Sequence, residues 1–132
     1  MIRDLSTLKA VAFIYHPAPG FVIIAGRTSK DNDFISLRVA APNDYWFHIR
    51  GMPGSHVLLR SETEEEPSKI LIEQAAAVAA WHSKARNGGV TAVSMTMAKF
   101  VNKPGGAPAG TVCIKNEKLI KVRPALPESA AE

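Results

Sequence analysis

Residues 68–86, SKILIEQAAAVAAWHSKAR, are the one long stretch of this chain with helical periodicity. Pro67-Ser68 is a good entry with Ser68 as the N-cap, and RNGG (86–89) supplies an exit. Leu71, Ala75, Val78 and His82 form one stripe, flanked by Ile72, Ala76 and Ala79. So many alanines let a helix backbone sit close on a sheet. The sheet comes from shorter runs. FVIIAG (21–26) is β-branched and bounded by Pro19-Gly20 and by Gly26; DYWFHIR (44–50) alternates; TAVSM (91–95) follows the helix. TVCIKNEKLIKV (111–122) reads as a C-terminal β-hairpin turning at Asn116-Glu117, and KPGGAPAG (103–110) as a loop. DNDFISLRVAA opens a short helix capped by Asp31 or Asn32. The expectation is an α+β fold: a mixed or antiparallel sheet covered by one long helix at about 68–86. The 132 residues suit a single domain over 1–127, followed by a short acidic tail at 128–132.

Charge is unevenly spread. Residues 1–66 carry 7 Lys/Arg and 8 Asp/Glu, net −1; residues 67–127 carry 9 and 2, net +7; the last five add −2. The acidic groups of the first half gather in SETEEEP (61–67), a solvated loop, so the second half is a basic field suited to a polyanion such as RNA. No apolar run reaches the ~18 residues of a membrane span. MIRDLSTLKAVAFIY lacks the cleavage site of a signal peptide and carries Asp4 early, so a cytoplasmic location is expected, with no membrane contact. Cys113 is the single cysteine. It excludes a disulfide framework and a cysteine-based zinc site, and is expected to be a buried, inert thiol.

WFHIRGMPGSHV (46–57) holds the densest chemistry. In a strand, Tyr45, Phe47 and Ile49 face the core, and Asp44, Trp46, His48 and Arg50 face the other way, onto an open surface. If SHVLLR returns antiparallel around Met52, His48 faces His56, Trp46 faces Leu58 and Asp44 faces Arg60. Three uses of that face stay open. Trp46 stacks on a base of single-stranded RNA, His48 and Arg50 meet phosphate or a base edge, and the Gly51/Gly54 turn lets backbone N–H groups approach. Alternatively Asp44, His48 and His56 form a metal or acid–base site. Or the histidines bond within the hairpin and Trp46 packs under a loop. No nucleophile elbow, P-loop or H-E-x-x-H is present.

Other features divide in the same way. Lys84 and Arg86 lie at the helix C-terminus, where they either complement the helix dipole or contact RNA. His82, on the apolar stripe, reads as a satisfied core histidine. KFVNKPGGAPAG joins two lysines to a Gly/Pro loop, suited to a phosphate backbone or to a plain connection. The charges of Lys115, Lys118, Lys121 and Arg123 fit an edge strand guarded against aggregation.

These residues also resemble a family. NDYWFHIRGMPGSHVLLR, EPSKILIEQAAAVAAWHSKARNGG and KFVNKPGGAPAGTVCI, in that order, are similar to the NFACT-R domain, the C-terminal RNA-binding module of the NFACT proteins of ribosome-associated quality control. The resemblance runs over about 21–123. It rests on Gly26-Arg27 with Asn32-Asp33; on Asp44, Trp46, Phe47 and His48; on Pro53-Gly54-Ser55-His56-Val57; on Ser83-Lys84-Ala85-Arg86; and on Val101, Lys103-Pro104, Gly106 and Gly110-Thr111-Val112. Tyr45, Gly51 and Thr28 depart from a pattern that more often has leucine, aspartate and asparagine there. Family members also carry an NFACT-N domain, helix-hairpin-helix elements and a coiled coil; none of these is seen in this sequence, which implies a free-standing, bacterial-type copy of one module.

The resemblance implies a non-catalytic RNA-binding module for tRNA or rRNA, in a quality-control or translation context on the large ribosomal subunit. A partner protein would supply the missing domains. The expected footprint is Arg27, Trp46, His48, Arg50, Gly54, Ser55, His56, Lys84, Arg86 and Lys103, with no cofactor and no metal. Two alternatives stay beside it: an RNA- or nucleotide-processing enzyme using His48 and His56, and a protein-interaction module that docks on the ribosome.

Overall fold

A computed structural model describes residues 5–127; the acidic tail at 128–132 and Asp4 lie outside the described residues. Among the described residues eight strands are present: β1 (Ala12–Ala18), β2 (Phe21–Gly26), β3 (Tyr45–Ile49), β4 (Val57–Ser61), β5 (Thr91–Met97), β6 (Val101–Asn102), β7 (Cys113–Ile114) and β8 (Lys118–Val122). The helices are α1 (Ser29–Phe34), which runs on as one π-turn over Ile35–Val39, and α2 (Lys69–Trp81). Six strands make one sheet in the order β1-β2-β4-β3-β5-β8, and β6 pairs with β7 apart from it. Every pairing is antiparallel. The class is α+β, and the β3–β4 register is the expected one, with Trp46 opposite Leu58.

Five expectations are corrected. There is no long helix at 68–86: Ser68 caps α2, its Oγ accepting from Leu71 N at 3.2 Å, but the helix stops at Trp81. It stops because His82 and Ser83 are taken by another element. His82 O accepts from Ser55 N at 2.9 Å, and Ser83 forms a β-bridge with Gly54. The remaining turn is closed locally, Ser83 Oγ donating to Ala80 O and accepting from Ala85 N.

The expected hairpin at 111–122 does not form either. β7 pairs back onto β6 across the 103–112 loop, and β8 completes the main sheet against β5. Val112 and Ile114 pack on one core while Ile120 and Val122 pack on the other, so the two halves must part company at Asn116, whose φ of +57° makes the reversal. The cap of α1 is Thr28, not Asp31 or Asn32. Thr28 Oγ1 accepts from Asp31 N and the Asp31 carboxylate accepts from Thr28 N, both at 3.1 Å. Threonine does here what asparagine does elsewhere as a cap. Cys113 is exposed, not buried.

The sheet is covered on both faces. One core joins Phe21, Ile23, Phe47, Ile49, Val57 and Leu59 to Leu71, Ala75, Val78 and Ala79 of α2. The other joins Val22, Ile24, Trp46 and Leu58 to Leu8, Ile35 and Val39. β2 is therefore buried along its whole length, which is why FVIIAG is an unbroken apolar run. The face expected to be open is a second core.

At its rim Arg60 and Asp44, 9 % and 5 % exposed, are bound bidentately: Nη2 donates to Asp44 Oδ2 at 2.7 Å and to Val39 O at 2.8 Å, and Nε donates to both carboxylate oxygens. Asp44→Ala would leave a buried guanidinium unpaired and is expected to cost about 3–5 kcal/mol in urea unfolding, whereas Asp44→Ala with Arg60→Met should recover most of the loss.

Candidate nucleic-acid interface

After β3 the chain turns at Gly51, whose φ is +77°, and returns through Pro53-Gly54-Ser55. Gly54 is needed for a different reason, close approach. A Cβ there would lie 2.8 Å from both Ile49 Cγ2 and Ser83 Cβ. From the other side the buried Asn32 of α1 acts as a clamp: its Nδ2 donates to Gly54 O at 3.4 Å and its Oδ1 accepts from His56 N at 3.1 Å. Asn32 fits only because residue 26 is glycine, since a Cβ at Gly26 would stand 2.2 Å from Asn32 Oδ1. Ser55, buried, donates from Oγ to Gly26 O at 2.6 Å. Gly54, Ser55 and Gly26 are thus framework, with α1, the β3–β4 turn and the end of α2 locked at one point.

Around that point lies an open cleft of about 440 Å³. Arg27, Gly54, Ser55, Lys84 and Arg86 all line it, five of the ten residues expected in the footprint. Phe13, Thr28, Ser29 and Ser83 join them, and among the described residues no carboxylate does. Two cations are held by aromatic rings. The Arg27 guanidinium lies 4.1 Å above Phe13 and its Nε donates to Lys9 O at 3.1 Å; Arg86 lies 4.8 Å from the Trp81 ring and its Nε donates to Trp81 O at 2.7 Å. Lys84 is exposed. Among the described residues no hydrogen bond takes the outer N–H groups of either guanidinium, which are available to a ligand. His82, at the floor, shares a 2.6 Å hydrogen bond with Tyr15 Oη and stacks on Phe13 at 4.3 Å. Burial, then the charges of Arg86 and Arg27, pushes its pKa down to about 4, so it is neutral near pH 7. It is a satisfied histidine, as the apolar stripe implied.

Trp46 and His56 are both 2 % exposed, which corrects their expected place on an open face. Trp46 Nε1 donates to Ser36 Oγ at 2.8 Å, Ser36 Oγ lies 2.7 Å from His56 Nδ1, and His56 Nε2 lies 3.1 Å from Gly110 O. The indole N–H can only donate and the carbonyl can only accept, so the Ser36 hydroxyl donates to Nδ1 and Nε2–H donates to Gly110 O. Both imidazole nitrogens are used by the neutral ring. Burial, and then His48, brings the His56 pKa down to about 4. His48 is half-buried, stacked on Trp46 at 6.1 Å and edge-on to His56 at 5.4 Å, and burial lowers its pKa as well. The set of Asp44, His48 and His56 is not assembled: Asp44 is bound to Arg60 and accepts from Ala41 N. Among the described residues no group of three His, Cys, Asp or Glu side chains is placed to hold a metal.

The last two footprint residues stand apart. Arg50 is exposed and lies 3.5 Å from Glu117. Lys103 pairs with Asp33 at 3.2 Å and donates to Pro108 O and Thr111 O, tying the 103–112 loop to α1; Gly110 N donates to Asp33 Oδ1. Phe13 had no place in the expected footprint because β1 was not read as a strand, although the aromatic and β-branched run FIY suggests one. Asn32 and Asp33 were visible as a motif, but not as the clamp.

The model of the NFACT protein RNA binding domain matches residues 9–116. The chain belongs to this family. Against the 21–123 expected, the match starts earlier, taking in β1, and ends at 116. The chain is similar to "Rqc2 homolog RqcH" of Bacillus subtilis (strain 168), 36 % identical over 83 % of this chain and 19 % of that protein, and to the protein of the same name from Streptococcus suis (strain 05ZYH33), 34 % identical over 78 % and 18 %. It spans about a fifth of the length of these relatives. A solved structure, the C-terminal part of the fibronectin/fibrinogen-binding protein from Streptococcus suis, superposes with a TM-score of 0.79 at 31 % identity, over 87 % of this chain and 45 % of that one.

The histidines set a pH dependence. His56 and His82 have folded pKa values of about 4, against 6.5 for a free imidazole. From pH 6.5 down to 4 the unfolded NFACT RNA-binding domain takes up protons that the folded one refuses, so stability falls with falling pH through that window and is intact above it. Calorimetry is expected to show Tm dropping between pH 7 and pH 4.5; a flat Tm there contradicts the buried neutral histidines. Gly54→Ala is expected to cost about 1–3 kcal/mol at pH 7, by forcing Ser83 and Ile49 away.

Proposed function

We propose that this chain is a non-catalytic RNA-binding module of ribosome-associated quality control, with tRNA or rRNA as its RNA, in the cytoplasm and at the large ribosomal subunit. The observation that carries the reading is the carboxylate-free cleft that gathers Arg27, Lys84 and Arg86 around a rigid Gly54-Ser55 turn. Two aromatic-backed guanidiniums present planar forks to phosphate oxygens, and their stacking reduces the side-chain entropy lost on binding. Lys84 adds a mobile point charge, and the basic second half of the chain supplies the longer-range field. The description of the family as an RNA-binding domain supports the same ligand.

Fluorescence anisotropy of labelled tRNA across a salt series tests this. Log affinity should fall linearly with log salt, at roughly 0.7–0.9 per phosphate contact. Lys84→Ala with Arg86→Ala should weaken binding at low salt and reduce that slope by about 1.5. Absence of salt-dependent tRNA binding, or a double variant that matches the wild type, overturns the reading.

A further inference from the structure

Beside the cleft lies a smaller recess of about 290 Å³. Consecutive residues serve the two, Ser55 lining the cleft and His56 the recess. Gly110, on the recess, also packs on Ser29 of the cleft, where a Cβ would stand 3.2 Å from Ser29 Cβ. The sheet contributes His48, His56 and Ser94, and the 103–112 loop with β7 contributes Thr111, Val112 and Ile114.

Among the described residues no charged side chain lines the recess, in contrast to the cleft, and the Ser94 hydroxyl on its wall donates to the Glu117 carboxylate, so it suits a neutral ligand rather than an anion. Its sheet side offers the ring of His48, with Trp46 and His56 packed against that ring, and its loop side offers the branched chains of Val112 and Ile114. A planar heterocycle fits between an aromatic and an aliphatic surface. Polar groups for its edge come from the exposed Thr111 hydroxyl and from the second lone pairs of the Gly110 and Thr111 carbonyls. That backbone is held in place from three sides: Lys103 donates to Pro108 O and Thr111 O, the Asp33 carboxylate accepts from Gly110 N, and the Gly110 carbonyl accepts from His56 Nε2–H. A volume at the lower end of the ~300–1,000 Å³ of ligand pockets holds one heterocycle and excludes a base pair.

We propose that this recess takes one unpaired nucleobase, splayed out from the strand whose phosphates lie in the adjoining cleft. The proposal rests on the RNA-binding reading. In it His48 is the ring on which the base stacks, and His56 is a positioning residue that fixes the loop through Gly110.

The test compares a short single-stranded oligoribonucleotide with a fully abasic oligomer of the same length and charge, tRNA serving as a third probe. Wild type should prefer the base-bearing strand by about tenfold, the size of one stacked base. Val112→Phe, which fills the recess, should abolish the preference while keeping the salt slope of the residual binding. Thr111→Phe, at an exposed position where folding is not at stake, should do the same. Equal binding of the two strands by wild type, or a preference that survives both substitutions, overturns the proposal and leaves the RNA reading standing. So does binding of tRNA with no binding of either strand. Failure to bind all three probes at low salt overturns the RNA reading, and this inference with it.

Discussion

The approach of three backbones at Gly54 is the constraint on which the rest depends. The peptide at 54–55 bridges to 82–83 at the end of α2, while Asn32 reaches it from α1 and continues to His56. A side-chain amide here acts as a piece of strand, donating to one carbonyl and accepting from one N–H two residues on. Because residues 26 and 54 lack a Cβ, the three elements close without a gap. The same closure ends α2 early, and so brings Lys84 and Arg86 round beside Arg27.

The molecule separates its charges by use. Asp44 and Arg60 neutralise each other at the rim of a core, and Asp33 and Lys103 hold a loop. Arg27 and Arg86, by contrast, are oriented by aromatic rings and main-chain carbonyls, which fix a guanidinium without cancelling its charge. A cleft built this way keeps its positive potential for a ligand. The neutral histidines fit the same logic, since a protonated His82 would add a third buried-side cation beside the two arginines that already lower its pKa.

Much of the architecture was legible in the chain. The alternation of DYWFHIR set the faces of β3, and a turn around Met52 set the pairing of Trp46 with Leu58 and the approach of His48 to His56 and of Asp44 to Arg60. What alternation does not say is whether the second face meets water. The unbroken FVIIAG carried that information, because only a strand covered on both sides is apolar at every position. Trp46 and His56 were therefore assigned to the right face and to the wrong environment. Helical periodicity likewise continued through His82-Ser83, but periodicity measures local preference and cannot register a distant turn that claims those two peptides.

The sequence by itself determined the local terms: the α+β class, the strand faces, Ser68 as a cap, the basic second half and the family motifs. These depend on neighbours within a few residues, where propensity and spacing act. Only the tertiary structure decided that Arg27, Lys84 and Arg86 share one cleft, that Lys103 is a tether, and that Asp44 is withdrawn from His48 and His56. Those outcomes turn on contacts between residues up to 77 positions apart, such as Asp33 with Gly110, and on where two missing Cβ atoms let backbones meet. Proximity of that kind is a property of packing in three dimensions, and no spacing along the chain encodes it.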